Sequence, residues 1–108
     1  MIKYYKGEDF NSLIQEKVLV DFYADWCITC KEMELLTFNN PKVSEVLTSY
    51  QLIQMDVTKN TLEHQQVLKQ YGLFGPPAIL LIDVDGQEQA SKRVIGFMNA
   101  ERFLERLR

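Results

Sequence analysis

Apolar residues fall along this chain in two rhythms, and the switches between them mark out its elements. VLVDFYA (18–24) is apolar almost throughout, broken only by Asp21, which predicts a central strand covered on both faces. AILLIDV (78–84) has the same character, and QLIQMDV (51–57) and IKYY (2–5) predict further strands. Between them the spacing becomes helical. EDFNSLIQEK (8–17) sets Phe10, Leu13 and Ile14 at helical intervals, and from Cys27 to about Phe38 the residues Cys30, Met33, Glu34 and Phe38 share one face. NNPKVSEVLTSY restarts a helix, with Asn40 as N-cap and Pro41 in the first helical position. TLEHQQVLKQYG (61–72) is a helix closed by Gly72, and NAERFLERLR one opened by Asn99 with Phe103, Leu104 and Leu107 turned inward. Asp85-Gly86 predicts a hairpin into KRVIGF (92–97). The predicted order is β-α-β-α-β-α-β-β-α, an α/β fold with a central mixed sheet flanked by helices. Helices between the early strands imply parallel pairing there, and the hairpin adds an antiparallel edge.

A chain of 108 residues is one domain's worth, and 46% hydrophobic with 25% charged residues is the make-up of an ordinary globular domain. A net charge of −3 argues against nucleic acid, whose binding needs clustered Lys and Arg. No stretch reaches the roughly 18 apolar residues that suggest a membrane span, so no direct insertion of this domain is expected. The opening MIKYYKGEDF lacks the apolar core of a secretion signal, as a domain excised from a longer protein also would.

Both cysteines of the chain lie in DFYADWCITCKEME (21–34), at the junction of the buried strand and a helix. Cys27 falls near the first helical turn, where unpaired backbone N–H groups and the helix dipole favour thiolate, and its sulfur is expected to face solvent. Cys30, about one turn on, is expected to be the more buried, and two intervening residues let a disulfide close between them. A structural zinc site takes four ligands, whereas this chain has no third cysteine and a single histidine, His64, on a distant helix. Inert core thiols fit poorly beside Asp25 and Trp26. A redox pair, with Cys27 attacking and Cys30 resolving, fits best and needs no metal or bound cofactor.

VLVDFYADWCITCK resembles the active-site segment of the thioredoxin superfamily, GPP before a strand resembles its cis-proline loop, and VIGF its later glycine-bearing strand. The likeness covers essentially the whole chain and implies the thioredoxin fold. Within the superfamily, YADWCITCKEMELLTFNNPKV and RVIGFMNAERFLERL resemble the C-terminal domain of the DsbD family of membrane thiol:disulfide interchange proteins. Ordinary thioredoxins carry Gly-Pro between the cysteines; Ile28-Thr29 is nearer the DsbD pair. This resemblance implies a domain of a larger protein, on the periplasmic side of the bacterial inner membrane. It implies electrons taken from a transmembrane domain and handed to an N-terminal periplasmic domain through transient mixed disulfides, the domain itself being a monomer. A free-standing cytosolic thioredoxin and a redox-inert adaptor are the competing readings.

Asp21 and Glu34 match acidic positions that the family places near the thiols. Asp21 is a polar group driven into a core strand, on the face expected under the cysteine helix, and Glu34 lies one turn beyond Cys30. Their charge opposes the helix dipole by penalising thiolate at Cys27, and Asp21 is a candidate proton acceptor for Cys30. In the proline loop, Pro77 falls at the cis-proline position. Pro76 before it has no N–H, so one of the two backbone bonds by which the superfamily grips a substrate strand is missing. Docking is therefore expected to lean on apolar contacts from Trp26, Ile28, Phe74 and Phe97, with Gly96 leaving room for a partner.

Overall fold

Strand β2 (Val18–Tyr23) holds the centre of the sheet, as its run, apolar but for Asp21, leads one to expect. A computed structural model describes the backbone of residues 2–4 and residues 17–108. The helix predicted over 8–17 lies, but for Lys17, outside the described residues. Five strands line up in the order β1 (Ile2–Tyr4), β3 (Gln51–Asp56), β2, β4 (Ala78–Ile82), β5 (Val94–Ile95). β3 runs parallel to β1 and to β2, with Asp21 opposite Gln54 and Tyr23 opposite Asp56.

Two strands depart from expectation. β4 already runs antiparallel to β2, with Asp21 opposite Ile79, so the sheet reverses direction one strand before the hairpin. The hairpin turn itself forms: Gly86 has φ +81°, and the Asp83 N–H donates to the Gln87 carbonyl at 2.9 Å. Pairing then stops after a single bridge from Ile82 to Glu88, and one 3₁₀ turn (Ala90–Lys92) intervenes before β5 returns with only two residues. Side chains take over there. Arg93 grips the Glu88 carboxylate with two nitrogens, one at 2.8 Å, and Arg106 donates to the carbonyls of Arg93 (2.9 Å) and Ser91 (3.4 Å). Backbone acceptors that a longer strand would have paired are thus satisfied from the last helix.

Strand alternation divides the core. Val18, Val20 and Phe22 face one layer with Ile53, Met55, Leu80 and Ile82, covered by Val67 and Leu68 of α3 (Leu62–Gln70). Leu19 faces the other with Ile79 and Leu81, covered by Met33 and Phe38 of the segment that continues α1 (Ile28–Glu32), by α2 (Pro41–Leu47) and by α4 (Ala100–Leu107). Phe103 of α4 is fully buried and meets Phe38 edge-on at 5.5 Å, a burial worth about 2 kcal/mol or more. The predicted caps are present: Asn40 accepts from Lys42 and Val43, and Asn99 from Arg102. Gly72, at φ +67°, closes α3 with its own N–H on the Lys69 carbonyl (3.0 Å) and the Leu73 N–H on that of Leu68 (2.8 Å).

After Glu32 the cysteine helix widens into a π-helical stretch, Met33–Phe38, in which the Asn39 N–H reaches the Glu34 carbonyl five residues back. This turn brings Thr37, fully buried, to donate its hydroxyl to the Met98 carbonyl at 2.6 Å. The Met98 N–H in turn donates to Met33 Sδ at 3.2 Å. Both backbone groups of Met98 are therefore held by the helix that carries the cysteines.

Candidate active site

The strand β2 ends at Tyr23, and the chain turns at once into α1, the Cys27 N–H closing the turn on the Ala24 carbonyl at 3.0 Å. Cys27 is the N-cap of α1, in extended conformation (φ −91°, ψ 99°), and Cys30 sits inside the first turn. The two are joined as a disulfide with Cα atoms 5.3 Å apart. The Cys30 N–H points at Cys27 Sγ from 3.1 Å, doing for sulfur what a capping oxygen does elsewhere. In the reduced protein that donor favours negative charge on Cys27. Cys30 Sγ lies 3.8 Å from the Phe22 carbonyl, which is placed to accept its S–H once the disulfide opens.

The expected difference in burial between the sulfur-bearing residues is not found. Cys27 is 6% exposed and Cys30 5%, and both pack with Val20, Phe22 and Ala24. As an N-cap, Cys27 folds its side chain back over the first turn, where it is bonded to Cys30.

Asp21 lies on the Leu19 face of the sheet, under the π-helical continuation of the cysteine helix and not under the turn that carries the cysteines. With Glu34, Gln54, Phe38, Asn39 and Ser44 it lines a cleft of about 340 Å³ between the sheet and the π-helical turn. Burial pushes the Asp21 carboxyl up to about 7, opposed by a hydrogen bond from Gln54 and assisted by the negative charge of Glu34. Glu34 is exposed, yet it belongs to this cleft. The cysteines pack on the opposite layer, and among the described residues no hydrogen bond joins either carboxylate to them. Gln54, which sequence reading did not single out, is the residue across from Asp21 on β3.

The proline loop carries a cis bond between Pro76 and Pro77. Beside it the Gly96 N–H donates to the Pro77 carbonyl at 3.3 Å, next to the β4–β5 pair Ala78 and Ile95. Gly96 has φ +84°, and a Cβ there would meet no heavy atom within 4 Å, so conformation and not crowding within the domain calls for glycine. Pro76, Pro77 and Gly96 are half-buried, while Trp26 (61%), Ile28, Phe97 and above all Phe74 (104%) are exposed.

Trp26 is not free. Its indole N–H donates to the Thr58 carbonyl at 3.2 Å, and the Asp25 N–H to the Thr58 hydroxyl at 2.8 Å. Thr58 was not picked out from the sequence. The available signal was Asp56-x-Thr58 at a strand end, a pattern in which a carboxylate caps the backbone two residues on.

The description of a thioredoxin-like domain matches residues 12–108. The thiol:disulfide interchange protein DsbD of Neisseria meningitidis is 49% identical over 88 residues, which is 82% of this chain and 14% of that protein. This chain thus spans a small part of the length of the curated relatives it matches. The crystal structure of the Neisseria meningitidis DsbD C-terminal domain in the reduced form overlays with a TM-score of 0.77 and 43% identity, over 89% of this chain and 82% of that one. Its oxidised form gives 0.77 and 42%, over 88% and 84%. The chain belongs to the thioredoxin-like family and, within it, to the C-terminal domains of DsbD. In this member of the family Cys27 is bonded to Cys30 at the start of α1.

Proposed function

We propose that this domain relays reducing equivalents between protein partners, accepting electrons from a transmembrane domain of its parent protein and passing them to a periplasmic partner domain. Reduced Cys27 attacks a partner disulfide, forming a mixed disulfide and expelling one partner thiolate. Cys30 then attacks Cys27 Sγ, closing the Cys27–Cys30 bond and releasing the second partner sulfur as thiolate. Two electrons reach the partner, and an upstream dithiol restores the domain by the same steps in reverse. Because the electrons travel in sulfur bonds, no further cofactor is required. The observation that carries the reading is the Cys30 N–H aimed at Cys27 Sγ within a disulfide at the helix start. Support also comes from the likeness to the DsbD C-terminal domain of Neisseria meningitidis, which has been solved in both a reduced and an oxidised form.

In this reaction Asp21 and Glu34 act on the cysteines through their field. Asp21 with its carboxyl near 7 is partly ionised at neutral pH, and its charge together with that of Glu34 makes thiolate costlier and the dithiol the better electron donor. The partner segment lies against Trp26, Ile28, Phe74 and Phe97, beside the Pro76–Pro77 loop and Gly96. The test is trapping. Cys30→Ser protein, offered an oxidised periplasmic extract, accumulates mixed disulfides through Cys27 that dithiothreitol releases, and Cys27→Ser does not. Equal recovery from both variants removes the relay.

A further inference from the structure

Trp26 precedes the attacking cysteine and carries much of the exposed apolar surface beside it, so whatever fixes its ring fixes part of the docking face. The bonds that fix it come from a loop more than thirty residues away. β2 and β3 end side by side, Tyr23 opposite Asp56, and the Val57 N–H continues the pairing onto the Tyr23 carbonyl at 2.7 Å. Beyond that point the two chains part, one towards Cys27 and the other into a turn closed by the Asn60 N–H on the Val57 carbonyl at 2.9 Å. Asn60 holds φ +48°, and its carbonyl accepts from Gln65 Nε2 at 2.9 Å, so this turn is locked onto α3.

Thr58 lies inside that turn. Asp56 Oδ1 accepts from the Thr58 N–H at 2.9 Å and from the Thr58 hydroxyl, which orients the hydroxyl's lone pairs outward. One of them takes the Asp25 N–H, and the Thr58 carbonyl takes the Trp26 indole N–H. Asp25 is held from its other end as well, its Oδ1 accepting from the Tyr23 hydroxyl at 3.1 Å. All these groups are at the surface, where a side chain without such bonds samples its rotamers freely.

We propose that Thr58 is a positioning residue for disulfide exchange: oriented by Asp56, it immobilises the Asp25–Trp26 segment so that the indole meets a protein partner in one pose. This rests on the exchange reading above and adds to it a residue outside the cysteine segment. Small thiols need no docking face, so the effect is confined to protein substrates.

The test compares Thr58→Val, which keeps the shape and loses the hydroxyl, with Thr58→Ser, which keeps the hydroxyl. Trp26 is the chain's only tryptophan and reports on itself. In Thr58→Val its fluorescence anisotropy falls, and KM for insulin reduction rises about fivefold at unchanged kcat, the ratio expected for one net hydrogen bond. Reduction of the disulfide by dithiothreitol, followed by Trp26 fluorescence, keeps its wild-type rate, and Thr58→Ser behaves as wild type. Unchanged anisotropy in Thr58→Val overturns the proposal, as does a parallel change in the dithiothreitol rate or a failure of serine to restore the KM. Wild-type protein inert towards insulin, with the anisotropy difference intact, would instead overturn the exchange reading and leave the immobilisation of Trp26 standing.

Discussion

Replacing Asp21 by asparagine separates the cost of burying its charge from the rest of what the side chain does. The carboxyl ionises near pH 3.8 in the unfolded chain and at about 7 in the fold. Between those values the unfolded state has lost a proton that the native state keeps, so native stability falls as pH rises through this window. Below it there is no penalty, and above it the penalty is complete. Three pH units at about 1.4 kcal/mol each set a ceiling of about 4 kcal/mol, and water in the open cleft screens this to an expected 2–3 kcal/mol, roughly. Asparagine fits the same space and still pairs with Gln54 through its amide. Urea unfolding of the disulfide-intact proteins from pH 4 to pH 8.5 reads the effect directly, because the other carboxylates cancel in the difference. Asp21→Asn should match wild type near pH 4 and exceed it by about 2–3 kcal/mol at pH 8. A difference that stays constant across the range, or one that favours wild type at high pH, refutes the raised carboxyl and with it the field role of Asp21.

Glu34→Gln removes a negative charge that raises the Asp21 carboxyl, so the upper edge of the pH window of stability loss should fall in the same titration while the lower edge stays in place. That movement should be smaller than the effect of burial, which is the larger cause. Thr37→Val leaves the Met98 carbonyl without its buried donor and should cost about 1–3 kcal/mol in urea, whereas Thr37→Ser, which keeps the hydroxyl, should lose about 1 kcal/mol or less.

Local chemistry was the legible part of this chain. Asn40, Gly72 and Asn99 act as caps because each needs only its own neighbours, and the buried β2 shows in a run that is apolar but for Asp21. The Cys27–Cys30 pair was legible through spacing as well as through family likeness, and the cis Pro76–Pro77 bond through family likeness alone. Direction was harder. The path from α3 through 73–77 reverses the chain before β4, and no periodicity in AILLI distinguishes a parallel strand from an antiparallel one. The extent of β5 depended on the Arg93–Glu88 side-chain pair and on Arg106 supplying bonds from the last helix, which a turn signal does not contain. The Thr58 contacts with Asp25 and Trp26 were invisible for the same reason, since they bridge loops that meet only because β2 and β3 end together.

The margins of the sheet have a consequence for life beside other proteins. β5 offers two residues, so a neighbouring chain seeking to add itself on that side finds purchase for hardly more than a bond or two. Edge-to-edge stacking of one copy on another needs a longer ladder than that. The exposed side chains of Phe74 and Trp26 therefore stand on a molecule whose described margin gives a second copy little backbone to extend.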